Sequence, residues 1–199
     1  MDGIVIATMM EAEPFIKGLR LEAAAATKPF RIYRGGGQIL VISGIGKVNA
    51  ALATATIILQ HGAATIYNIG AAGALSETLK FGDIRHISAV YEHDRTKFDA
   101  EPPYIIKTDV LDSHVTASLA TGDIPIVPAE DRRVLSVFAE LVDMEGAAVV
   151  RACRRYNVNA YLFKGVSDTA ETPEEELIPG LGKVSESLFE YFVEKVIVV

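Results

Sequence analysis

The chain has 199 residues, half of them apolar, and a formal net charge of −7. That size and apolar share suit a single domain with a sizeable core, while the negative charge, with no basic run, counts against a nucleic-acid or anionic-membrane partner. The lone Cys153 excludes an internal disulfide, no apolar segment approaches the roughly eighteen residues that span a bilayer, and without a leader pattern a cytoplasmic protein is expected.

Residues 3 to 8, Gly-Ile-Val-Ile-Ala-Thr, read as a buried parallel strand. Glu11, Ala12 and Glu13 then open a short helix with Pro14 in its first turn. Residues 30 to 34 and 38 to 43 form a hairpin through Gly35-Gly36-Gly37. Ser43-Gly44-Ile45-Gly46-Lys47-Val48 invites a phosphate-loop reading, but Val41 and Val48 stand where a Walker loop needs glycine and a hydroxyl, and Asn49 replaces the third glycine of a dinucleotide fingerprint. A helix follows from Lys47 to His61, stopped by Gly62.

Residues 65 to 69 are a strand ending in Gly70-Ala71-Ala72-Gly73-Ala74-Leu75, small residues that let a ligand lie on the backbone; a plain tight turn is the alternative. Another strand runs from Gly82-Asp83-Ile84 to Tyr91. His93, between acids, has no second His or Cys at ligand spacing, so no metal site is expected there. An edge strand is expected at Tyr104 to Thr108, a turn and loop at Thr121 to Ile126, and a helix at 129 to 139. Val142 to Gly146 turns from strand into a helix that runs through Arg155 and buries Cys153 as a small hydrophobe. Residues 159 to 166 form a strand leading to Asp168. Thr172-Pro173 marks a helix start, interrupted by Gly180 and Gly182, and a long amphipathic helix follows from about Val184 to Val196.

Three acids near strand ends, Glu13, Glu145 and Asp168, suggest one converging pocket at the mouth of an open α/β sheet. Each acid taken singly also reads as a helix cap or flank. Asp143, beside Met144 and Glu145, belongs to the same stretch.

The stretches Ile4 to Glu13, Ser43 to Ala51, Asn68 to Leu75, Gly82-Asp-Ile, Thr121-Gly-Asp, Val142-Asp-Met-Glu-Gly-Ala-Ala and Val166-Ser-Asp resemble, in order and spacing, the purine nucleoside phosphorylase and nucleosidase superfamily. The resemblance is strongest to 5′-methylthioadenosine/S-adenosylhomocysteine nucleosidases. It implies an α/β fold, a three-layer α/β/α sandwich with a mixed, partly closed sheet, usually as a homodimer. It also implies hydrolysis of an N-glycosidic bond of a purine nucleoside, without metal or cofactor. That reaction builds positive charge on the ribose and negative charge on the departing base, and each needs a partner.

By resemblance Asp168 is the general acid toward purine N7, so it must bind substrate protonated, a state that neighbouring carboxylates would favour. Ser167 orients it, and Glu13 positions and deprotonates the attacking water. Glu145 grips the ribose hydroxyls and Met144 packs on the sugar. Val142, Asp143 and Ile126 line the base pocket, with backbone help from Ala72 and Gly73. Ala71 and Lys164 neighbour the water site.

Three positions depart from the family. Ala71 stands where many nucleosidases carry serine, Lys164 where they carry arginine, and Pro125 where a phenylalanine stacks on the base. The segment between Tyr91 and Thr121 looks short and lacking a helix, so a neighbouring subunit could complete the pocket. A phosphorylase using Arg34, a futalosine-type hydrolase and an inactive nucleoside-binding protein are the competing readings.

Overall fold

The computed structural model describes residues 1–24, 28–95 and 104–197. Strands β1 (Asp2–Ile6), β3 (Arg31–Gly35), β4 (Gln38–Ile42), β5 (Thr65–Ala74), β6 (Ile84–Glu92), β8 (Thr116–Thr121), β9 (Leu141–Asp143) and β10 (Asn159–Asp168) share one mixed sheet, with short β2 (Glu22–Ala23) and β7 (Ile105–Lys107) at its margins. Helices α1 (Met9–Gly18) and α5 (Glu174–Tyr191) pack on one face, and α2 (Lys47–His61) and α4 (Gly146–Arg155) on the other. The period-2 pleat decides which side chain meets which layer. Ile4 and Ile6 join Phe15 of α1 and Leu188 of α5, whereas Val5 joins Ala53 and Ile57 of α2.

Strand β5 organises the sheet. β10 runs parallel along one of its edges, from Asn159 opposite Thr65 to Asp168 opposite Gly73. The other edge changes partner: β1 pairs with Thr65 to Asn68, and β9 pairs antiparallel with Gly73 and Ala74. β10 continues to β6, β6 to β8, β8 to β9 and β9 back to β5, so five strands close a ring while β1, β4, β3 and β2 extend from it. The partly closed sheet and its two helical layers match the fold expected from the resemblance.

Several local expectations change. The small residues Gly70 to Ala74 continue β5 instead of leaving it as a turn, and β8, which sequence patterning missed, lies buried between β6 and β9. Helix α3 (Ala129–Leu135) is shorter than expected. α5 begins after Pro173, not Thr172, and runs unbroken through Pro179, Gly180 and Gly182 into a π-helical turn at Phe192–Val196. Gly180 has a packing reason: a Cβ there would sit 2.8 Å from the Ser167 carbonyl oxygen. The stretch thought short between Tyr91 and Thr121 lies partly outside the described residues. Among the described residues no helix is long and apolar enough to cross a membrane.

Candidate active site

Between Asn68 and Gly73 the β1 edge of β5 has lost one strand neighbour and not yet gained the next. A cavity of about 260 Å³ opens beside this gap. Ala71, Ala72 and Gly73 form its floor, Val142, Asp143, Met144 and Glu145 one wall, and Ser167 and Asp168 another. Ile126 also faces it. Strand-end crevices of this kind bind ligands because backbone groups and loop side chains converge there.

The acid on the β1 side is Glu11, not Glu13. Helix α1 starts at Met9, two residues earlier than expected, and Thr8 caps it through a capping box: Thr8 Oγ1 accepts from the Glu11 amide while the Glu11 carboxylate accepts from the Thr8 amide. That reach-back turns Glu11 inward, where its Oε1 accepts from Ala71 N at 3.0 Å. Glu13 lies about 200° further around the helix. It is exposed and pairs with Lys17 at 2.6 Å, so it does not face the cavity. Pro14 consequently falls in the second turn.

Beneath the floor lies a buried charge cluster. Lys164 Nζ is 2.8 Å from Asp143 Oδ2, and a Cβ added at Gly70 would stand between Lys164 and Glu11. Burial alone would lower the Lys164 pKa, but Asp143, Glu145 and Glu11 around it raise it above the ordinary value. Asp143 is fully engaged: Thr121 Oγ1 donates to its Oδ1 at 2.6 Å, and Gly146 N donates to its Oδ2 at 2.8 Å beside the lysine. It is therefore an anchor in the cavity wall, and the expected base-side role for it finds no free oxygen. Gly146 must be glycine here, since a Cβ would come 2.5 Å from Leu119 and 3.0 Å from Asp143 Oδ2.

Glu145 accepts from Gly46 N at 2.9 Å, at the N-terminus of α2, where the helix dipole favours an anion. Burial and the adjacent Asp143 nonetheless push its pKa up to about 7, against the opposing pull of Lys164 and the Gly46 amide. Gly46 of the failed phosphate-loop motif thus binds this chain's own carboxylate.

Asp168 completes the cavity beside Gly73. Ser167 Oγ donates to its Oδ1 at 2.6 Å, and the Arg132 guanidinium caps its Oδ2. The expected neighbouring carboxylates are replaced by a hydroxyl and a cation. Arg132 is nearly buried and tethered twice more, through Nε to Val127 O and Nη1 to Ala74 O. Within Glu130-Asp131-Arg132-Arg133 nothing in the sequence separates it from a solvated helix face. Lys164 lies behind the floor, and Arg34 pairs with His61 away from the cavity. His93 packs against Gly122, with burial lowering its pKa. Burial pushes the Cys153 thiol up to about 12, which leaves it an inert core residue. Among the described residues no cluster of three His, Cys, Asp or Glu could hold a metal ion.

A family model described as the phosphorylase superfamily matches residues 3–197. The chain belongs to the phosphorylase superfamily. Among its relatives in the superfamily, a 5′-methylthioadenosine/S-adenosylhomocysteine nucleosidase from Staphylococcus aureus is 31% identical over 79% of this chain and 75% of its own length. One from Anoxybacillus flavithermus is 28% identical over 81% and 75%. Two solved Helicobacter pylori structures share the fold. The first is a 5′-methylthioadenosine/S-adenosylhomocysteine nucleosidase (TM-score 0.86, 23% identity, 96% of this chain and 94% of that one). The second is a futalosine hydrolase (TM-score 0.85, 23% identity, 96% and 95%).

For this superfamily member the buried Glu145 sets a pH dependence. A carboxyl whose folded pKa lies above its unfolded value stabilises the fold fully below the unfolded value, and that contribution is lost as pH rises through the folded one. Unfolding free energy should therefore fall by a few kcal/mol between about pH 4.5 and 7.5. Denaturant titrations across that window should show the fall, and Glu145→Gln, which keeps an acceptor for Gly46 N, should flatten it. An unchanged slope in the variant would assign the titration elsewhere.

Proposed function

We propose that the whole chain acts as one domain that hydrolyses the N-glycosidic bond of a purine nucleoside carrying a 5′ substituent and releases the free base. The observation that carries this reading is the placement of two carboxylates, Glu11 and Asp168, at the two edges of β5 on one cavity that Met144 and Glu145 also line. A nucleoside laid across Ala71 to Gly73 meets a separate acid at each end of the bond to be broken.

The roles follow from the chemistry. Glu11 takes a proton from water as the water oxygen bonds to C1′. The C1′–N9 bond breaks with its electron pair going to the purine, and Asp168, oriented by Ser167, delivers a proton to N7. Glu145 as a carboxylate accepts from the ribose hydroxyls, and Met144 covers the sugar. Ile45, Ile124, Leu177 and Leu181 add apolar lining suited to a thioether or other apolar 5′ group. The names of the relatives point to 5′-methylthioadenosine and S-adenosylhomocysteine, and the futalosine hydrolase likeness keeps other 5′-modified nucleosides in the same class.

The phosphorylase reading needs free cationic donors on the water side. Arg34 is bound to His61, Lys164 is committed to Asp143, and Arg132 stands on the base side. Water is the nucleophile this geometry favours.

A homodimer in the cytoplasm belongs to the same proposal. Val48, Leu52 and Leu59 are exposed, and their spacing of four and seven places them on one face of α2, with exposed Ile45 just before its N-cap. The stripe reaches the cavity mouth at Ile45 and Ile124. Sedimentation should give a dimer for the wild type and a monomer for Leu52→Asp; a monomeric wild type would remove the dimer.

Glu11→Gln should reduce base release from 5′-methylthioadenosine or a 5′-modified inosine by at least about a hundredfold, within the usual range for a general base, whereas Glu13→Gln should stay within about twofold, as surface substitutions do. Asp168→Asn should bind nucleoside yet release almost no base. Equal losses at Glu11 and Glu13, or full activity in Asp168→Asn, would overturn these roles.

A further inference from the structure

Arg132 is a cation built into the base end of the cavity. Its guanidinium is held from three directions, by the Val127 carbonyl, the Ala74 carbonyl and the Asp168 carboxylate. It lines the cavity beside Ser167 and Asp168, and it is 4% exposed. Gly73 makes room for it, since a Cβ there would sit 3.0 Å from both Arg132 Nη1 and Asp168 Oδ2. A side chain so tethered cannot swing into solvent without leaving two backbone carbonyls unpaired, which costs free energy.

A purine entering this end presents its N7 and C6 edge to Arg132 and Asp168. In a 6-oxopurine that edge carries two acceptors, O6 and N7, and O6 suits a guanidinium N–H; in adenine the C6 substituent is an amino donor. Arg132 donating to O6, beside Asp168 at N7, suits the first, whereas in the second the guanidinium meets another donor in the amino group. The fork also places positive charge where O6 gathers negative charge as the N9 bond breaks, which stabilises the departing base. Pro125 offers no aromatic face, so polar edge contacts carry more of the discrimination.

The geometry points to Arg132 as the residue that selects the base, and to a 6-oxopurine nucleoside, hypoxanthine- or guanine-type, as the preferred substrate over an adenine nucleoside. This rests on the nucleosidase reading for its turnover, but not for its binding arm. Adenine could be accommodated only if Asp168 bridged N7 and the amino group alone, with Arg132 withdrawn from the edge.

The test uses free hypoxanthine and free adenine as calorimetric probes on the wild-type protein, on Arg132→Met and on Arg132→Lys. Wild type should bind hypoxanthine at least about tenfold more tightly than adenine. Arg132→Met should lose about 10- to 100-fold in hypoxanthine affinity, the usual size of a hydrogen bond from a charged group, with adenine unchanged or improved. Arg132→Lys, which keeps the charge but not the fork, should fall between. Thermal unfolding of each variant separates a folding defect from lost recognition, and the wild-type preference stands as a result without them. Equal or tighter adenine binding by the wild type, or equal loss of both bases in Arg132→Met, overturns the inference. Parallel assays of base release from 5′-methylthioinosine and 5′-methylthioadenosine read the enzyme separately: release from neither removes the nucleosidase function while the base-binding result still decides the role of Arg132.

Discussion

The site depends on one buried cation. Lys164 projects from β10 to Asp143 at the end of β9, with Glu145 and Glu11 close enough to raise its pKa. A buried ion pair is retained at a desolvation cost, and removing one partner leaves a charge that is worse still. Strands β9 and β10 and the start of α4 are therefore tied to each other through charge as well as through backbone pairing. With more carboxylates than cations in the cluster, one carboxyl must be held less firmly as an anion. That is Glu145, raised to about 7, the group proposed to meet the ribose.

The sheet supplies the space for this cluster. By exchanging β1 for β9 along one edge, β5 exposes backbone from Ile69 to Ala72 among the described residues, and Ala71 N is taken by Glu11. Gly70 lies within this stretch and Gly73 just beyond it, and a side chain at either would collide with Glu11 or with Arg132 and Asp168. The same small residues that look like a turn in the sequence are the floor of the cavity.

Much of this is legible in the amino-acid sequence. The apolar runs located the central strands, the Gly62 stop ended α2 where expected, and the acids at strand ends pointed to one cavity. Glu11 and not Glu13 faces the cavity because α1 begins at Met9, two residues before Glu11. The capping-box spacing of Thr8 and Glu11 was the available signal, and it fixes which face of the helix each acid takes. β8 was invisible because Thr-Ala-Ser-Leu-Ala-Thr lacks a strong period-2 pattern; its burial comes from its two neighbours, not from its own composition. Arg132 had no sequence signal at all. Its importance arises from long-range contacts to Ala74 and Asp168 that no local pattern encodes.

Water and phosphate lead to different products from the same nucleoside, and the engaged state of Lys164 and Arg34 makes water the expected nucleophile. The most direct measurement is product analysis of a 5′-modified purine nucleoside in phosphate-free buffer and in excess phosphate. Free base and free 5-modified ribose should form at the same rate in both. A requirement for phosphate, with the sugar recovered as its 1-phosphate, would contradict hydrolysis.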